Sequence, residues 1–119
     1  MKVIIVEDEM LIAQVSKMQL ENNGIEVKGL ASSSETFWPL MDDSIQVVLM
    51  DVKLKRGESG IALAQDIRIK YPLLPIIFTT GNTRKFVEES IVQDERIKVL
   101  NKPLIYSELI DLIRTMSAY

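Results

Sequence analysis

The sequence predicts an α/β domain built on a parallel β-sheet, and two observations support that prediction. Five short apolar runs are spaced along the chain, and three of them are continuous and rich in β-branched residues, as in strands buried on both faces. The segments between the runs carry apolar residues at helical spacing, and strands that alternate with helices form parallel sheets. The five runs lie at residues 3–6, 25–30, 47–50, 76–78 and 99–100.

Three of the five predicted helices are indicated by apolar stripes. The first has Leu11, Val15 and Met18 at i, i+4 and i+7. Its end is predicted at Asn23-Gly24, because glycine commonly follows a helix C-terminus. The other two stripes are Ile61, Ala64 and Ile67, before a stop at Tyr71-Pro72, and Ile105, Leu109, Leu112 and Met116 in the last helix.

The second and fourth helices have weaker signals. Ser32 and Glu35 have the spacing of a capping box for the second helix. Pro39 then interrupts that helix, which we expect to be short or irregular. The fourth helix, over about 82–92, is the least periodic.

These elements predict one flavodoxin-like (βα)5 domain over residues 1–119, a sandwich of three layers. The 119 residues and 47% hydrophobic content suit a single core. Right-handed crossovers limit the topology, and 2-1-3-4-5 is the common strand order at this size. In such sheets ligands bind beyond the carboxyl ends of the strands, at the switch point between the first and third strands.

The composition excludes several classes of function. The chain has no cysteine and no histidine, which excludes disulfides, thiolate or imidazole metal sites and Cys/His or Ser/His catalysis. A bound metal must therefore be held by oxygen. The net charge of −3 argues against direct nucleic-acid binding. Neither a signal peptide nor a membrane span can be found, so we expect a soluble, cytoplasmic domain without a membrane partner.

Polar residues that end the predicted strands form the candidate site. Glu7 and Asp8 follow the first strand, and Asp51 follows the third. Thr80 ends the fourth strand, and Lys102 follows the fifth. Because the carboxyl ends of parallel strands share one edge of the sheet, we expect these five side chains to converge there.

This set of side chains suits phosphoryl transfer. Two unit charges about 4 Å apart repel by roughly 4 kcal/mol at an effective dielectric near 20, so three carboxylates need a cation. An all-oxygen site with few protein ligands favours Mg²⁺. A carboxylate can attack phosphorus, and the transfer needs mainly positioning and charge neutralisation. The metal, the Lys102 amine and the Thr80 hydroxyl provide these, which predicts that Asp51 accepts phosphate.

From residue 3 to about residue 118, the chain resembles the receiver domains of two-component response regulators, the family of the chemotaxis regulators. The resemblance depends on five short segments that occur in the family's order with strands between them. They are VEDE at 6–9, VLMD at 48–51, Gly60, PIIFTTG at 75–81 and KP at 102–103.

The resemblance implies a role for each acidic residue. Asp51 is expected to be the phosphoacceptor. Asp8 is expected to bind Mg²⁺ directly, and Glu7 to hold it mainly through water. Asp51 and the backbone carbonyl of Lys53 complete the protein ligands.

It also implies how the switch works. Thr80 is expected to contact the phosphoryl group, Lys102 to pair with one of its oxygens, and the bond before Pro103 to be cis. By this resemblance the phosphate is expected to come from a histidine kinase, a histidine phosphotransfer protein or a small donor such as acetyl phosphate. Output to an unknown partner protein is expected through the face of the fourth helix, fifth strand and fifth helix. The chain is then a phosphorelay switch and not an enzyme, beyond self-directed phosphotransfer and dephosphorylation.

Three features depart from the family pattern. Glu7 stands where aspartate is commoner, and the loop over 51–60 is one residue longer than in the simplest members. Val99 occupies the position of an aromatic switch residue, so coupling through aromatic burial does not transfer. The longer loop carries three basic residues, Lys53, Lys55 and Arg56.

Several alternatives remain open on the sequence. The chain can be a receiver-like interaction module that is never phosphorylated, or the receiver fragment of a larger transcription factor or hybrid kinase. An aspartyl-phosphate phosphatase needs a second acid where Lys53 stands. Flavin binding on the same fold needs a Ser/Thr/Gly-rich phosphate loop after the first strand, where this chain has acids.

Overall fold

A computed structural model describes residues 1–81 and 95–117. Five parallel strands form one sheet in the order β2-β1-β3-β4-β5, which confirms the predicted topology. The strands are β1 (Lys2–Val6), β2 (Glu26–Ala31), β3 (Ile45–Asp51), β4 (Ile76–Thr80) and β5 (Ile97–Asn101).

Four α-helices connect or follow these strands in the described ranges. They are α1 (Met10–Glu21), α2 (Ser34–Phe37), α3 (Gly60–Lys70) and the C-terminal helix (Tyr106–Met116). The second helix is short, as predicted, and passes into a 3-10 turn at Trp38–Leu40 that contains Pro39. The helix predicted over about 82–92 lies outside the described residues. Within 1–81 and 95–117 the longest helix has 12 residues, and none is both long and apolar enough to span a membrane.

The core has one apolar layer on each face of the sheet, as the continuous apolar strands predict. Along β1, Ile4 and Val6 pack into one layer, together with Ile67 of α3. The alternate residue Ile5 packs into the other layer, with Leu109 of the C-terminal helix. The result is the predicted sandwich of three layers.

The apolar stripe of α1 does not face this core. Leu11 is 79% exposed, Met18 is 54% exposed and Val15 is 41% exposed. The buried residues of α1 are Ala13, Ser16 and Leu20. Two of these are small, which lets the helix lie close to the sheet, and the Ser16 hydroxyl is satisfied by the Tyr106 hydroxyl at 3.0 Å. The helix that the sequence predicts is therefore confirmed, and its apolar stripe lies on the more exposed side.

Two helix starts also differ from the prediction. The capping box of α2 is formed by Ser33 and Thr36, one residue beyond the predicted Ser32 and Glu35. The Thr36 N–H donates to the Ser33 hydroxyl at 3.3 Å, and the Ser33 N–H donates to the Thr36 hydroxyl at 3.1 Å. Ile105 precedes the C-terminal helix and is exposed, so that helix buries its stripe only from Leu109 onward.

Candidate functional site

Three carboxylates meet where β1 and β3 end. The two strands are paired with Val6 opposite Met50, so the residues that follow lie side by side at the carboxyl edge. Glu7 and Asp51 are buried, and Asp8 is half-buried. One oxygen from each of the three side chains lies within 4.8 Å of the others. Glu7, Asp8 and Asp51 thus converge at the location that the sequence predicts.

Lys102 joins two of these acids. It follows β5, and its side chain is 18% exposed. Its ammonium lies 3.0 Å from Glu7 Oε2 and 3.1 Å from Asp51 Oδ2. The Lys102 N–H donates to the Thr80 carbonyl at 2.8 Å, and the Lys102–Pro103 peptide bond is cis.

The pKa values follow from this shared cation. The pKa of the Glu7 carboxyl is raised to about 7, first by burial and then by the hydrogen bond with Asp51, and the Lys102 ammonium only partly opposes these two effects. Burial acts to lower the pKa of the Lys102 ammonium, but its bonds with Glu7 and Asp51 prevail and raise it. One ammonium therefore serves two carboxylates, so the acid cluster has fewer positive charges than acidic groups.

Thr80 ends β4 beside the acids. It is buried, and its neighbour Thr79 pairs with Asp51 across the sheet. Asp8, Asp51 and Thr80 open onto a cleft of about 230 Å³. The residues lining the cleft are Asp8, Glu9, Asp51, Lys53, Thr80, Gly81 and Lys102.

Gly60 holds the end of β3 from the side of α3. A Cβ atom at this position would lie 1.9 Å from the Asp51 carbonyl oxygen, so only glycine fits. The Gly60 N–H donates to the Val52 carbonyl at 2.7 Å, and Ser59 caps α3 by accepting from Ile61. The start of α3 therefore fixes the backbone that carries Asp51.

Two contacts at the site were not anticipated from the sequence. The Lys53 N–H donates to Asp51 Oδ1 at 3.2 Å, and the Glu9 N–H donates to Glu7 Oε1 at 3.2 Å. Both are bonds from a backbone amide to the carboxylate two residues earlier. Aspartate commonly makes such bonds at the start of a turn, which is the only signal the sequence offered.

The Val99 side chain is buried. Val99 lies in β5 opposite Phe78 of β4, and its side chain belongs to the apolar layer under α3. A small β-branched residue thus fills this place in the core.

A family model described as the response regulator receiver domain matches residues 3–114, and the chain belongs to that family. Among curated proteins, the DNA-binding transcriptional regulator NtrC of Klebsiella pneumoniae is 28% identical over 116 residues, which is 97% of this chain and 24% of that protein. A Rickettsia felis protein named "Putative response regulator NtrX-like" is 25% identical over 94% of this chain and 24% of its own length. The chain spans about a quarter of the length of these curated relatives.

Solved structures agree with the fold. The receiver domain of NtrX from Brucella abortus has a TM-score of 0.87 at 21% identity and covers 98% of both chains. A CheY-like receiver domain protein from Methanospirillum hungatei has a TM-score of 0.81 at 21% identity, over 98% of this chain and 93% of its own. At this identity the likeness establishes the receiver fold.

Proposed function

We propose that this domain is a phosphorylation-activated switch of a two-component system, acting in the cytoplasm, and that Asp51 accepts the phosphate. The observation that carries the proposal is the position of the Asp51 carboxylate. It lies at the end of a central strand, within 4.8 Å of two further carboxylates and 3.1 Å from the Lys102 ammonium. Membership of the receiver family supports it.

The transfer needs little chemistry from the protein. An Asp51 oxygen attacks phosphorus, the bond from phosphorus to the donor breaks, and the donor leaves with the electron pair. Lys102 stays beside Asp51 and neutralises charge on the transferred oxygens, and Thr80 donates a hydroxyl hydrogen bond to one of them. The product is an acyl phosphate on Asp51.

The donor atoms of the site fit Mg²⁺. All of them are oxygens, and the one ammonium beside the three carboxylates pairs with only two of them, which favours an added divalent cation. We assign Asp8 and Asp51 as direct ligands, with the Lys53 backbone carbonyl, and Glu7 as a ligand through water. Bound there, Mg²⁺ supplies positive charge to the carboxylates and to the transferring phosphoryl oxygens.

The proposed donor is a histidine kinase or a histidine phosphotransfer protein. The added charge of about −1.5 to −2 changes the balance around Lys102 and Thr80. We propose that this biases the face formed by the predicted helix over about 82–92, β5 and the C-terminal helix, where an output partner binds. Because residue 99 is valine, the change at the site must reach this face by a route other than the burial of an aromatic side chain.

Phosphorylation with acetyl phosphate and Mg²⁺ tests the assignment. We expect one hydroxylamine-labile phosphate on the wild-type protein, detected by mass spectrometry, and none on Asp51→Asn. Asp43→Asn is a matched control, because Asp43 is exposed and lies outside the cleft. Labelling that persists in Asp51→Asn contradicts the assignment, and a wild-type protein that never labels indicates an interaction module without phosphorylation.

As an alternative, the same switch is one domain of a longer protein. The curated relatives extend far beyond the matched segment, and one is named as a DNA-binding transcriptional regulator. On this alternative, phosphorylation of Asp51 controls a transcription factor or hybrid kinase of which the receiver is one part. An immunoblot of native cells with an antibody to this domain distinguishes a single-domain protein from a longer one. A band well above 13.5 kDa supports the longer protein.

A further inference from the structure

The loop between β3 and α3 folds back on itself. Lys53 forms an antiparallel β-bridge with Ser59, and the Leu54 N–H donates to the Glu58 carbonyl at 3.0 Å. The chain reverses direction over 55–57, where Arg56 has a φ of 59°. The backbone of Lys53 is therefore held from across the loop by the segment that contains Glu58.

The Glu58 side chain ties this loop to α2. Its Oε1 accepts a hydrogen bond of 2.7 Å from the backbone N–H of Ser34, which lies 24 positions earlier in the chain. Ser34 is the first residue of α2, and the first N–H groups of a helix find no partner within the helix. A carboxylate that accepts such an N–H makes a charge-assisted bond, which is stronger than a bond between neutral groups.

Helix α2 is a fixed support for the loop. Its Phe37 is fully buried in the apolar layer under α3. The tip of the loop at 55–57, in contrast, is exposed to solvent. The bond from Ser34 to Glu58 thus connects an anchored helix to the half of the loop that pairs with Lys53.

We propose that Glu58 is a positioning residue for the Mg²⁺ site, which holds the Lys53 carbonyl in place for the cation by tying the loop to α2. This inference rests on the proposed function, because the Lys53 carbonyl is assigned there as a ligand. Glu58 itself does not line the cleft at Asp51 and lines a separate cavity with Ser34 and Lys55. Its effect on the cation is therefore exerted through the backbone of the loop.

The test measures the Mg²⁺ dissociation constant by calorimetry. Loss of a group that orients a metal ligand weakens metal binding by about 10–100-fold, and we expect the lower limit, about tenfold, for Glu58→Ala because it acts through the loop. Labelling by acetyl phosphate at saturating Mg²⁺ is expected to stay within about twofold of wild type, since occupancy of the site changes and the transfer step does not. Glu58→Gln keeps an oxygen that accepts the Ser34 N–H and is expected to restore most of the affinity.

Ser34→Pro removes the same hydrogen bond from its donor side. Proline has no N–H and is favoured at the first position of a helix, and the extended backbone of Ser33 (φ −160°, ψ 171°) suits a residue before proline. We expect the same weakening of about tenfold, with no further loss when Ser34→Pro and Glu58→Ala are combined, because both changes remove one bond. Ser34→Ala is the matched control, since it keeps the N–H, and its affinity is expected to stay within about twofold of wild type.

Three results overturn the role of Glu58. They are a wild-type Mg²⁺ affinity in Glu58→Ala, a loss in Glu58→Ala that Ser34→Pro does not reproduce, and an equal loss in Glu58→Gln, which shows that the charge acts and not the hydrogen bond. A wild-type protein that binds no Mg²⁺ overturns the proposed metal site, and the role of Glu58 with it.

Discussion

At the scale of single residues, Gly60 shows how closely the fold constrains Asp51. A methyl group at this position meets the Asp51 carbonyl at 1.9 Å and the Met50 side chain at 3.0 Å. Because the first contact is backbone, the strand end or the start of α3 must move. We expect Gly60→Ala to lower the free energy of unfolding by about 1–3 kcal/mol in urea denaturation.

Gly81→Ala is the control for this prediction. Gly81 lines the same cleft, but among the described residues no atom other than those of its chain neighbours lies within 4 Å of a Cβ atom built there. Its unfolding free energy is expected to stay within about 0.5 kcal/mol of wild type. A Gly60→Ala protein as stable as Gly81→Ala contradicts the close approach of α3 to Asp51.

A second prediction at this scale concerns Lys102. Its removal leaves Glu7 and Asp51 buried together without a cation. Loss of one partner from a buried ion pair costs about 3–5 kcal/mol, and partial exposure of Lys102 brings the expected effect to the bottom of this range or below it. We expect Lys102→Met to lower the unfolding free energy by about 2–3 kcal/mol in the absence of Mg²⁺.

The double variant Asp51→Asn with Lys102→Met separates this effect from lost packing. With one carboxylate removed, loss of the ammonium is expected to cost less, and the difference measures the coupling between the two side chains. Equal costs in the two backgrounds show that Lys102 is not coupled to the Asp51 carboxylate.

At the scale of elements, α1 shows what a sequence pattern does not reveal. Leu11, Val15 and Met18 have helical spacing, yet the helix buries Ala13, Ser16 and Leu20. Periodicity locates a helix and not the side that meets the sheet. That side depends on small residues that permit close approach and on the Ser16–Tyr106 hydrogen bond, which joins residues 90 positions apart.

This orientation predicts opposite outcomes for two leucines of one helix. Leu20 is fully buried, so Leu20→Ala is expected to lower the unfolding free energy by about 2–5 kcal/mol. Leu11 is 79% exposed, and Leu11→Ala is expected to change the unfolding free energy by less than about 0.5 kcal/mol. Urea denaturation of both variants is the measurement. The reverse order of effects contradicts the observed orientation of α1.

At the scale of the whole molecule, the sheet explains how much of the site the sequence predicts. Continuous β-branched runs mark central strands, and parallel strands bring their carboxyl ends together, so residues as far apart as Glu7 and Lys102 were correctly placed at one edge. The hydrogen-bond partners within that edge were not predictable. They depend on backbone direction after each strand, as in the amide of Lys53 that bonds Asp51.

The proposed Mg²⁺ site predicts that stability depends on the cation. The three carboxylates are brought together only by folding, so the cation binds the native state in preference to the unfolded chain, and its binding free energy adds to stability. At a Mg²⁺ concentration 100 times the dissociation constant, we expect the wild-type unfolding free energy to rise by about 2.7 kcal/mol. The check is urea denaturation with and without Mg²⁺, with the dissociation constant taken from calorimetry.

Asp51→Asn makes this prediction specific to the proposed site. It removes one of the converging carboxylates, so the variant is expected to be more stable than wild type without Mg²⁺, because less buried charge competes for Lys102. It is also expected to gain less than about 1 kcal/mol at the same Mg²⁺ concentration, since a weakened site is only partly occupied. Asp43→Asn, an exposed position outside the cleft, is expected to respond as wild type does. An undiminished gain in Asp51→Asn places the stabilising cation elsewhere on the protein and removes Asp51 from its ligands.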